Sequence, residues 1–180
     1  IGLGIPAEPL FRSCLIPLAE IYDFSVFEYA FAFWQWGSDI QKIPTSEADD
    51  LAVFKYWMSH CEPDYFSNQN PYFSFDVQAA KELGYYGYYI KPFKRYLSIK
   101  TAKGYLHRLM LPKDAENVNF SPVLYKHTVD FLSKNDPKMV YIYGSIDPWS
   151  ASGIYGLPFT KNKQNLHVYM CPGGSHKTRI

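Results

Sequence analysis

Two short apolar runs near the C-terminal end constrain this chain most. Met139-Val-Tyr-Ile-Tyr-Gly144 and Leu166-His-Val-Tyr-Met-Cys171 are rich in β-branched and aromatic residues. Turn-forming residues bound them: Asn135-Asp-Pro137 before the first, Gly144-Ser145 after it, and Pro172-Gly-Gly174 after the second. Both read as strands. The segment between them, 145–165, is long enough for one crossover, as parallel neighbours require. Two strands do not make an independent open sheet. They are expected to belong to a larger parallel sheet whose other strands lie upstream of residue 1.

Upstream of these strands the pattern is mostly helical. Residues 1–9 read as an extended connector, and Pro9 fits a helix start followed by Leu10, Cys14, Leu15 and Leu18 at helical spacing. Pro17 must kink or end that helix. Ser25-Val-Phe-Glu28 has the form of a capping box and predicts a helix through Trp36, closed by Gly37. This helix is apolar nearly all round, so it should be buried or line a cleft. Thr45-Ser-Glu-Ala-Asp-Asp50 opens a third helix, with Leu51, Phe54 and Met58 as its inner stripe. Residues 61–73 read as loop, and Ser74 as the cap of a helix that Gly84 stops. Tyr85–Ile90 looks β-like, Pro92 breaks it, and Lys94–Leu111 fits either helix or hairpin. Ser121-Pro122 starts a last helix that reaches about Ser133. The expected organisation is a helical region, 1–120, followed by a helix–strand–loop–strand portion, 121–180, of an α/β fold.

Composition excludes several function classes. Lys and Arg number 18 against 17 Asp and Glu, a net charge of +1, without the basic excess of a nucleic-acid binder. No run of about eighteen apolar residues is present to span a bilayer. The longest, Val26–Trp36, is broken by Glu28 and Gln35. The chain starts at Ile1 rather than Met, as expected of a processed or excised piece, and a piece that starts in mid-sequence could not show a secretory signal. Cys14, Cys61 and Cys171 allow no complete disulfide framework and show no zinc spacing, although one bridge stays open. His60 precedes Cys61-Glu-Pro-Asp64, but no partner follows at ligand spacing, so no metal site is expected. Aromatic residues make up 18% of the chain, enough to line a ligand cleft as well as a core.

The chemistry-bearing residues sit just past the two runs. Asp147 lies three residues beyond Gly144, where a carboxylate can orient a histidine and stabilise its protonated form. His176 follows Pro172-Gly-Gly-Ser175, where two glycines let the backbone turn sharply and present the imidazole above the sheet. A histidine suits general-base work because its pKa lies near neutrality. Either residue alone would pass as an ordinary loop residue, Asp147 as an Asx turn before Pro148. Together, Asp first and His later at two strand ends match the second half of a Ser…Asp…His hydrolase of the α/β type. No G-x-S-x-G sequence occurs in the chain, so the nucleophile is expected outside it. Trp34 and Trp36 are two apart on one helix and cannot both face one core. Trp149 follows Asp147-Pro148 directly.

Gly144-Ser-Ile-Asp-Pro-Trp-Ser150 and Pro172-Gly-Gly-Ser-His-Lys-Thr-Arg-Ile180 resemble the C-terminal signatures of proline-specific serine peptidases. This group includes Pro-X carboxypeptidase, dipeptidyl peptidase II and the bacterial secreted prolyl tri/tetrapeptidyl aminopeptidases. The Gly-Gly-Ser-His form and Phe33-Trp-Gln-Trp-Gly37 look most like the last. The resemblance implies an α/β-hydrolase domain with a helical cap inserted before the Asp and His strands. It implies Asp147 and His176 as catalytic acid and base, and no metal or organic cofactor. It also implies peptide substrates with proline at P1, cleaved near the N-terminus, and a secreted or periplasmic enzyme. Trp34, Trp36 and Trp149 become candidates to pack the proline ring. Glu28 and Asp39 are both candidates to hold the substrate's free amine. The partner implied for this chain is the remainder of the same hydrolase, carrying the serine and the oxyanion donors; alone, the chain should be inactive. An esterase or lipase on the same fold is one alternative. A non-catalytic binding module descended from a hydrolase is the other.

Overall fold

The structure, a computed structural model, describes residues 17–61, 63–66, 72–84, 87–112, 114–115 and 117–178. The helix expected over Leu10–Leu18 therefore falls almost wholly outside the described residues, as do Cys14, Tyr85, Tyr86, Arg179 and Ile180. The chain divides into two units. One comprises 1–29 and 43–122, the other 30–42 and 123–180.

The first helix, α1, spans Leu18–Gln35. Pro17 stands at its start: the Pro17 carbonyl accepts from the amides of Glu20 (2.9 Å) and Ile21 (3.1 Å). A proline there fixes φ without sacrificing a helical hydrogen bond. Ser25 consequently lies in the helix interior and is buried, so the Ser25–Glu28 pair is no capping box. The C-terminal end is as the sequence predicts. Gly37 is left-handed (φ 69°). Its amide donates to Trp34 O (3.1 Å) while the Ser38 amide donates to Phe33 O (3.0 Å), the paired bonds of a Schellman motif.

The first unit packs Ile21, Phe24 and Phe27 of α1 around Phe66, Ala79, Tyr105, Leu109 and Met110. Phe24 stacks on Tyr105 with ring centroids 5.2 Å apart. Asp23 is buried on the same helix, and its Oδ2 accepts from the Ser98 amide (2.8 Å), the Ser98 hydroxyl (2.6 Å) and the Ile99 amide (3.0 Å). Three donors satisfy a carboxylate that burial would otherwise penalise. The second helix, α2, is Asp50–Met58, capped by Asp49 accepting from Ala52 N (2.7 Å). Its first acids lie in the turn ahead of it, and Leu51 of the expected inner stripe is exposed. The third, α3, is Phe73–Gln78, with Tyr72 rather than Ser74 at the cap position. A π-helical turn over Ala79–Leu83 continues it to Gly84 at φ 69°. Residues 87–90 form no strand; Pro92 sits in a 3-10 turn, Lys91–Phe93, and Leu106–Met110 forms a second π turn.

In the second unit, α4 (Val123–Lys134) leads into β1 (Met139–Gly144), and β2 is Leu166–Cys171. The two strands pair in parallel, with Met139 opposite Leu166 and Gly144 opposite Cys171. This is an α/β arrangement with a small two-stranded parallel sheet, as the two runs predict. The crossover is not an α-helix. It consists of two 3-10 turns, Pro148–Ser152 and Pro158–Asn162, each begun by a proline. Leu132, Ile154 and Leu166 form the core, with Tyr141, Tyr143 and Val168 packed against it. The other sheet face, with Val140, Ile142 and Tyr169, is exposed. At the base of the strands Asp136 clamps the entry to β2. Its carboxylate accepts from the amides of Gln164 (2.8 Å), Asn165 (3.1 Å) and Leu166 (3.0 Å). Desolvation raises the carboxyl pKa, but these amides and the Asn165 side chain outweigh it and hold the group below the usual carboxylate range.

Candidate active site

The parallel register brings the C-terminal ends of β1 and β2 side by side, so the loops that follow them meet. Gly144 makes that meeting close. A Cβ there would lie 2.2 Å from Gly174 O and 2.7 Å from Ser175 O, both backbone atoms. The loops are then cross-strapped by hydrogen bonds. Ser145 N donates to Cys171 O (3.0 Å) and Ile146 N to Gly174 O (3.1 Å). Gly173 N donates to the Ser145 hydroxyl (2.8 Å). The loop after β1 closes on itself as well, since the Ser150 hydroxyl donates to Gly144 O (2.8 Å).

Asp147 and His176 face each other across these straps. His176 Nδ1 and Asp147 Oδ2 are 2.7 Å apart. A carboxylate only accepts, so Nδ1 carries the proton and Nε2 is left as the basic nitrogen when the ring is neutral. The Asp147 carboxylate divides its work between its two oxygens. Oδ1 caps the Pro148–Ser152 turn by accepting from Trp149 N (3.0 Å). The bond from the residue two on is the usual one for a capping aspartate, and Pro148 between them gives up no amide that the turn needs. Oδ2 is thereby aimed at the imidazole. The Asx-turn geometry and the His-orienting geometry thus coexist in one side chain. The Asp147 side chain is 8% exposed, whereas the His176 side chain is 48% exposed. A shielded carboxylate beneath an accessible imidazole can hold one tautomer and leave Nε2 open to solvent as the proton acceptor.

The end of α1 joins this site within the same unit. The His176 amide donates to Gln35 O (2.8 Å), a carbonyl at the helix end. The Trp36 ring meets the His176 ring edge to face, centroids 5.8 Å apart at 81°. The Lys177 ammonium lies 5.5 Å from the centre of the Trp36 ring. A Cβ on Gly37 would come within 3.0 Å of Ser175.

Of the sequence-predicted residues, the structure brings Asp147, His176, Trp36 and the Trp149 backbone together. Trp34 packs edge to face on Phe33 (5.1 Å, 84°) and is partly exposed. Glu28 belongs to the first unit, where it is half-buried and accepts from the Tyr88 hydroxyl at 2.5 Å. Asp39 is exposed and accepts from the nearby Gln41 amide (2.9 Å). Ser145 and Gly144 escaped sequence reasoning; the signal was a Gly-Ser pair at one strand end facing a Gly-Gly pair at the other. Among the described residues no cluster of three or more His, Cys, Asp or Glu could hold a metal ion, and no helix is long and apolar enough to cross a membrane. Cys61 and Cys171 are free thiols.

Compared with known proteins, the chain matches no family model and no solved structure. Among curated proteins it is similar to the prolyl tri/tetrapeptidyl aminopeptidase of Streptomyces mobaraensis, with 25% identity over 175 residues. That match covers 89% of this chain and 34% of the relative, so the chain spans about a third of that protein's length.

Proposed function

We propose that this chain is the C-terminal part of an α/β-hydrolase that acts as a serine peptidase, removing short N-terminal peptides after proline. In this reading 121–180 is the end of the catalytic domain and 1–120 is its helical cap. His176 Nε2 takes the proton of a serine supplied by the rest of the protein. The serine oxygen attacks the carbonyl after proline, and the same imidazole protonates the departing amine. Water, activated by His176 in turn, then releases the acyl group. Asp147 holds the ring and offsets the charge that develops on it.

The observation that carries the proposal is the 2.7 Å contact between His176 Nδ1 and Asp147 Oδ2 at neighbouring ends of two parallel strands. The likeness to a prolyl tri/tetrapeptidyl aminopeptidase supports the reaction class. The exposed sheet face supports a missing covering layer supplied by the rest of the protein, because parallel sheets are ordinarily covered on both faces. Exposed Leu124 and Phe131 on α4 argue the same way. Glu28 and Asp39 remain the two candidates for the substrate's amine. Trp34 and Trp149 remain the aromatic candidates for the proline ring. The family resemblance alone extends the reading to a secreted or periplasmic site of action.

The test uses the full-length protein. It should hydrolyse Ala-Ala-Pro anilides in strong preference to short-chain esters. Asp147→Asn should lower kcat by about 10⁴-fold if it sets the tautomer of a catalytic histidine. Ester hydrolysis without anilide hydrolysis would leave the fold but move the chemistry to an esterase. Loss of neither activity in the variant would defeat the catalytic assignment.

A further inference from the structure

We propose that Trp36 is a positioning residue that fixes the His176 imidazole, an inference that rests on the hydrolase reading above. The bond from Asp147 fixes one point of the ring. Tilting about that bond would swing Nε2 away from its target. His176 is about half exposed, so buried packing does not hold it all round. The Trp36 indole stands against the ring edge to face at 5.8 Å and 81°, the geometry preferred by aromatic pairs. This contact opposes the tilt.

The indole is itself anchored to the loop it steadies. Gln35, its neighbour, accepts the His176 amide at 2.8 Å. Lys177, next after His176, sets its ammonium 5.5 Å from the indole centre. Gly37 turns the chain out of the helix so closely against Ser175 that a Cβ would come within 3.0 Å of it. Three consecutive residues at the helix end therefore grip three consecutive residues of the histidine loop. Trp36 then acts on the rate of the chemical step rather than on substrate affinity.

Two variants separate these roles: Trp36→Leu keeps apolar bulk without a ring, and Trp36→Phe keeps a ring. In the full-length protein Trp36→Leu should lower kcat about tenfold while KM stays within about twofold, and Trp36→Phe should restore most of the loss. An independent readout is the Nδ1 proton signal of His176 by NMR, assigned by its disappearance in Asp147→Asn. It should broaden or shift in Trp36→Leu and return in Trp36→Phe. A raised KM at unchanged kcat would make Trp36 a substrate wall and overturn the proposal, as would an unaltered Nδ1 signal in Trp36→Leu. If the wild-type protein hydrolyses no peptide, the peptidase reading fails, and the NMR series still decides whether Trp36 holds the imidazole.

Discussion

Gly144→Ala is the substitution to which the candidate site is most sensitive. Its new methyl would sit 2.2 Å from Gly174 O, 2.5 Å from Gly174 C and 2.7 Å from Ser175 O. All three are backbone atoms, so no side chain can rotate away. Either β1 or the histidine loop must move by about an ångström to reach ordinary contact distances. Overpacking of this kind costs about 1–3 kcal/mol. The movement also stretches the strap from Ile146 N to Gly174 O, now 3.1 Å, which adds about 1 kcal/mol. We expect a loss of about 2–4 kcal/mol, which lowers Tm by about 4–16 °C for a domain of this size. The assay is thermal and urea unfolding beside Gly87→Ala, where a Cβ meets nothing within 4 Å. The control should stay within about 0.5 kcal/mol of wild type. Equal Tm values for the two variants would refute the close approach of the loops.

Other perturbations probe the scaffold. Asp136 has its carboxyl pKa depressed in the folded chain, so its stabilisation is present above the unfolded pKa and is lost as pH falls through the folded one. Asp136→Asn should therefore reduce Tm at neutral pH, with the gap to wild type narrowing as pH falls through the folded carboxyl pKa; a pH-independent gap would contradict the clamp. Burial first, and then the nearby Glu28 charge, push the Cys61 thiol up to about 12. Alkylation at neutral pH should accordingly spare Cys61 until the chain is unfolded, which peptide mapping after a timed iodoacetamide pulse would show. Prompt native-state labelling of Cys61 would count against its burial.

The strands and the Asp–His pair were legible because local chemistry and tertiary role agree there. β1 and β2 are short β-rich runs between turn residues. Gly37 was legible for the same reason, since the left-handed position it fills is cheap only for glycine. The start of α1 was misread because Ser25 and Glu28 match a cap pattern that a longer helix absorbs. Burial of Ile21, Phe24 and Phe27 on one face rewards extending the helix back to Pro17. The crossover resisted prediction because Pro148 and Pro158 each start a turn too short to leave a helical period. Asp136 read only as a turn residue. Its clamp depends on amides some thirty positions away, and no local pattern reports that. The Trp36–His176 contact is of the same kind: each residue was noticed, but only the fold pairs them.

The central claim is that His176 and Asp147 serve a serine lying outside these 180 residues. Treating the full-length protein with a fluorophosphonate probe and mapping the modified peptide tests it most directly, with His176→Ala and Asp147→Asn beside wild type. The account predicts one labelled serine outside residues 1–180, with labelling abolished in His176→Ala and strongly slowed in Asp147→Asn. Labelling of a serine within this chain, or labelling indifferent to His176, would contradict it.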